Sequence, residues 1–128
     1  MQNKHLEHPE DCVISGDLNV LNWFTANGNI SAKIDGSPAI VWGTNPATNL
    51  FFVGTKSVFA QRSKAAYTPA QIRNFYQGEL GNKMENAFIY LKRLGIKQVL
   101  QGDLLFNDDI KQDTGDAITF QPNTIVYK

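Results

Sequence analysis

Cysteine is nearly absent: Cys12 stands alone in 128 residues. No intrachain disulfide can form, and no zinc site can rest on cysteine pairs. Long apolar runs are missing as well. The stretches Leu50–Val53 and Val99–Phe106 are the most apolar, and both fall well short of the roughly 20 residues a membrane helix needs. Met1–Glu10 is polar and lacks the apolar centre of a secretory signal. These absences predict a cytoplasmic protein with no membrane attachment. Net charge is missing too, since twelve Lys+Arg balance twelve Asp+Glu. The chain therefore lacks the basic excess on which sequence-independent nucleic-acid binding relies, although Lys56, Arg62 and Lys64 leave room for a local basic face. Little colloidal repulsion remains, which allows a homo-oligomer. P-loop, GxSxG and metalloprotease helix motifs do not occur.

What is present is ordinary globular composition, 42% hydrophobic and 19% charged, in a length that suits one domain over residues 1–128. Asp17 is placed to cap a short helix running to about Ala26, with Asn27-Gly28 as its stop. Ile30, Ala32 and Ile34 alternate with Ser31, Lys33 and Asp35, the period of a half-buried strand. After Gly36-Ser37-Pro38, the runs Ala39–Gly43 and Leu50–Gly54 read as two further strands around a hairpin loop. Thr68-Pro69 opens a helical region, and Leu80, Met84, Ala87, Phe88, Leu91 and Leu94 give a second helix that Gly95 ends. Strands are expected at 97–106, 117–120 and 124–127, with polar turns at 108–116. The fold class is α+β, with a mainly antiparallel sheet and packed helices.

The chemistry concentrates in Lys33-Ile34-Asp35-Gly36. On a strand, Lys33 and Asp35 would project from one face, and Gly36 would let the chain turn close to a ligand. An ammonium pairs with phosphate, a carboxylate holds a metal or a ribose hydroxyl, and a neutral lysine is a nucleophile. The alternative, less favoured, is a solvent-facing strand pair of little energetic weight. Asp103 stands among apolar neighbours, where an acid must be paired or functional. His5 and His8 could share a helix face as metal ligands, but no third ligand stands at useful spacing.

Lys33-Ile34-Asp35-Gly36 resembles the KxDG signature of the covalent nucleotidyltransferases: ATP-dependent DNA ligases, RNA ligases and capping guanylyltransferases. Gly54-Thr55-Lys56-Ser57 resembles that superfamily's short basic motif, and Gln101-Gly102-Asp103-Leu104 its apolar–Gly–acidic strand. The resemblance implies a ligase-like core binding ATP, or GTP, with Mg²⁺ to neutralise the phosphates. Lys33 would be the nucleophile forming a lysyl-nucleotide, for transfer to a nucleic-acid end. Asp35 and Gly36 would support the nucleotide, Lys56 would contact phosphate, and Asp35 and Asp103 would lie at ribose or metal. Taken with His5–Asp11, Gly36-Ser37-Pro38-Ala39 and Phe120–Tyr127, the chain is similar to nucleotidyltransferase-like proteins of large tailed phages, which implies a host-cytoplasmic setting.

The chain departs from that pattern in two places. Asn123 stands where the resemblance implies a glutamate, and the sequence reaches Lys128 before any lysine-bearing strand that would grip the α-phosphate. A truncated piece, a reduced relative and a non-catalytic descendant that binds a nucleotide or a host protein all fit that departure.

Overall fold

The run Ala39-Ile40-Val41-Trp42 is apolar at consecutive positions, which suits a strand covered on both faces. In the computed structural model, which describes residues 8–26 and 28–128, β1 (Ala39–Thr44) is the central strand of three. β2 (Phe51–Gly54) lies antiparallel on one side, with Val41 opposite Gly54. β3 (Val99–Asp103) lies antiparallel on the other, with Ala39 opposite Asp103.

Parity then sorts the side chains. Ile40 and Val53 meet Ile72 of α4 (Pro69–Phe75) and Met84, Ala87 and Phe88 of α5 (Gly78–Arg93), with Trp42 and Phe51 packed against them. Val41 and Phe52 face the other way, onto Val58 of α3 (Ser57–Ala60), Ala65 and Val99. A 3₁₀ turn, Arg62–Lys64, follows α3. A separate antiparallel pair, β4 (Lys111–Asp113) and β5 (Ile118–Phe120), closes the element order. The α+β class and the antiparallel sheet are as expected.

The chain divides into two compact units, Met1–Lys33 and Ile34–Lys128. The first carries α1 (Pro9–Ile14) and α2 (Asn19–Thr25), neither with a buried residue. The N-cap of α2 is Leu18 rather than the expected Asp17, whose Oδ1 nevertheless accepts from the Asn19 N–H at 3.0 Å. Asn27, half of the expected stop, and His5 lie outside the described residues.

Four expectations are corrected. Residues 28–36 hold no strand, because the alternation of Ile30, Ala32 and Ile34 has no buried face: Ile30 is 83% exposed. Lys33 and Asp35 are therefore not strand neighbours sharing a side. β3 is shorter than 97–106, and β4 forms inside the expected polar turns. Residues 124–127 contribute only a bridge, between Tyr127 and Phe120.

A candidate functional site at one end of the sheet

β1 begins, and β2 and β3 end, at the same end of the sheet, so the segments around Asp35-Gly36, Thr55-Lys56 and Asp103-Leu104 leave it together. Gly36 sits directly on the exit of β3. A Cβ built on it would lie 2.2 Å from the Leu104 carbonyl oxygen and 3.0 Å from Asp103 Cβ, so only glycine fits without displacing backbone. Two hydrogen bonds fix this approach: the Ser37 N–H donates to the Leu104 carbonyl at 2.8 Å, and the Leu104 N–H to the Pro38 carbonyl at 3.0 Å.

The Asp35 backbone is held from the far end of the chain. Its N–H donates to the Tyr127 hydroxyl at 3.2 Å, and its carbonyl accepts from the Asn123 side-chain amide at 3.1 Å. Tyr127 is itself fixed by two backbone hydrogen bonds with Phe120, 2.9 and 3.0 Å, and stacks on the Phe120 ring with centroids 5.4 Å apart. Phe106, just past β3, packs on Phe120 at 4.7 Å. Aromatic contacts thus link the β3 exit to the Asp35 turn. Asn123 and Tyr127 are not among the sequence-predicted site residues: the resemblance marks Asn123 only as a departure from glutamate, and the contact of both with Asp35 spans most of the chain.

Asp35, Gly36 and Asp103 are therefore brought to one place. Asp103 is exposed despite its apolar neighbours in sequence, so burial alone does not demand a partner for its charge. Lys56 is exposed at the start of α3, at the same sheet end but beyond β1 from Asp103. The backbone beside it is steadied by a hydrogen bond from the Thr55 N–H to the Tyr76 hydroxyl at 3.2 Å. Lys33 is exposed, in irregular backbone, and is the last residue of the first unit.

Asp103 also borders a cleft of about 780 Å³ between α5 and the sheet. Trp42, Leu91 and Phe106 give it apolar surface, and Asn82, Asn86 and Asn107 give it side-chain amides. Four carboxylates line it, Glu79, Asp103, Asp108 and Asp109, against the single ammonium of Lys83. Lys83 pairs with Glu79 one helical turn away.

Among the described residues no group of three His, Cys, Asp or Glu side chains is spaced to hold a metal ion. Asp35 and Asp103 offer two hard carboxylates. Carboxylates are the donor type Mg²⁺ takes, commonly one or two of them with phosphate oxygens and water completing the octahedron. Among the described residues no helix is long and apolar enough to cross a membrane.

The fold and this sheet end define a small α+β protein with a glycine-tight turn beside a mixed polar–apolar cleft. The chain belongs to a family of unknown function, DUF6267, which matches residues 3–128. No curated protein and no solved structure matches it.

Proposed function

We propose that this protein is a ligase-like nucleotidyltransferase domain that binds ATP, or GTP, at the sheet end bounded by Asp35, Gly36 and Asp103. The observation that carries the reading is the seating of the Asp35-Gly36 turn against Asp103, at the mouth of the cleft. The cleft's charge sets the polarity of binding. An excess of carboxylates repels a triphosphate, so the nucleoside would enter, with Trp42 or Phe106 for the base and the amides of Asn82 and Asn86 for its polar edge. The phosphates would stay outside, toward Lys56 and the Asp35 turn. Mg²⁺ held by Asp35 and Asp103 would supply charge neutralisation for the triphosphate.

In the transfer step the neutral Lys33 amine attacks the α-phosphorus. A P–N bond forms, the bond from the α-phosphorus to the bridging oxygen breaks, pyrophosphate leaves with that electron pair, and the amine sheds a proton to solvent. A nucleic-acid end would then accept the nucleotide. An ordinary lysine, with a pKa of about 10.4, is almost wholly charged at neutral pH. Labelling is therefore expected to rise between about pH 6 and 9 and to need divalent metal.

The test is incubation with α-labelled ATP and Mg²⁺. An acid-labile label on the wild type that is lost in Lys33→Ala supports the reading, and a label that survives the substitution overturns it. A second reading, a binding module that takes a nucleotide or a host protein without transfer, is favoured by one observation: Lys33 lies in exposed, irregular backbone rather than on a strand that would hold a nucleophile in line. It calls for ATP binding without label, equally strong in Lys33→Ala.

A further inference from the structure

The two edges of the three-stranded sheet differ. Because Leu104 directs both its backbone groups at residues 37–38, strand alternation turns those of Gly102 and Leu100 toward β1 and those of Val99, Gln101 and Asp103 outward. On the opposite edge Val53 holds the equivalent outward position. There it exchanges two hydrogen bonds with Ala66, at 3.0 and 2.8 Å, so that edge is covered. Among the described residues β3 has no such partner. Val99–Asp103 also has few of the usual guards of an open edge: it holds no lysine and no proline, its register with β1 runs without a bulge, and its one charge, Asp103, stands at its end.

We propose that the outer edge of β3 pairs with the same edge of a second copy of this chain, antiparallel about a twofold axis at Gln101. The outward residues map onto themselves under that axis. Gln101 meets the partner subunit's Gln101, and their backbones exchange two hydrogen bonds. Val99 falls opposite the partner subunit's Asp103. Between these pairs, Leu100 falls opposite the partner subunit's Gly102. Leu100 is 39% exposed, and a Cβ built on Gly102 would have nothing within 4 Å. The twofold thus lays an exposed leucine over open glycine surface twice, the kind of cross-strand pair that stabilises sheets. Lys97, two residues before the strand, comes within diagonal reach of the partner subunit's Asp103. A net charge of zero sets no general repulsion against the association.

Sedimentation equilibrium on the full chain over a wide concentration range tests this. The expected result is a reversible monomer–dimer equilibrium. Gln101→Pro is expected to weaken it about tenfold or more, because the lost N–H points away from β1 and serves only the dimer. Lys97→Glu, which sets two acids together, is expected to weaken it at low salt and much less at high salt. Isotope-filtered NMR on mixed labelled and unlabelled protein reads the register directly, as a contact from the Leu100 methyls to the partner subunit's Gly102, without a variant that must fold. A monomer at every concentration overturns the proposal. So does a dimer that lacks the Leu100–Gly102 contact, as binding through another surface or capture of an unrelated extended peptide would produce.

Discussion

Gly36 is the residue on which the sheet-end geometry depends most directly. Any side chain there meets the Leu104 backbone, which cannot rotate aside. Gly36→Ala is therefore expected to lower stability by about 1–3 kcal/mol in urea unfolding, as overpacking of a tight contact does. Gly102→Ala, with open space around it within one chain, is the matched control and should lie near wild type at concentrations where the protein is monomeric. A second expectation concerns acid. Glu10, in the first turn of α1, has its carboxyl held below the ordinary glutamate value, first by a backbone hydrogen bond and then by the His8 ring, 3.3 Å away. Because the folded value is the lower one, its support of α1 is complete above the ordinary value of about 4.3 and is lost as the pH falls through the folded value. An NMR titration should find the Glu10 midpoint below the ordinary value, with His8→Ala moving it upward. At this scale the glycine turn was legible, because a glycine following Lys33-Ile34-Asp35 is local information. The grip of Asn123 and Tyr127 on Asp35 was not, because a contact between residues 92 apart leaves no periodic trace.

Elements were legible where caps and core faces agree. Thr68 accepts from the Gln71 N–H at 3.2 Å and Pro69 opens α4, as their order in the sequence implies. Thr68→Ala should cost about 1 kcal/mol in urea unfolding, with Thr68→Ser recovering most of it. The three- and four-residue spacing of Leu80, Met84, Ala87, Phe88 and Leu91 likewise returns as the buried or half-buried side of α5, while Leu94, expected with them, is the exposed C-cap. Residues 30–34 show the limit of such reading. Alternation describes which side chains would share a face, but a strand also needs a core to cover, and residues 30–34 are all exposed and hold no strand. The same limit placed Lys33 on a strand it does not occupy. Asp113, at the end of β4, was missed for the opposite reason: its Oδ1 accepts from the Gly115 N–H at 2.9 Å, so turn chemistry hid a short hairpin.

Across the whole molecule the core belongs to the second unit, with Val41, Val53, Ile72 and Met84 fully enclosed there. α1 and α2, at six and seven residues, contribute no buried side chain and are shorter than the ~12–15 residues an isolated helix needs. Hydrogen exchange should accordingly protect α5 and β1 up to the global stability, while amides of residues 9–25 exchange through local opening at much lower cost. Equal protection of both regions would show that α1 and α2 open only with the core. The bond from Asp35 to Tyr127 has a further consequence for biosynthesis. A ribosome adding about 5–20 residues per second needs roughly 5–20 s to travel from one to the other. Throughout that interval the glycine turn exists as nascent chain without its tyrosine clasp, and its amides should be the late ones to gain protection when refolding is followed by pulsed exchange, after those of α5.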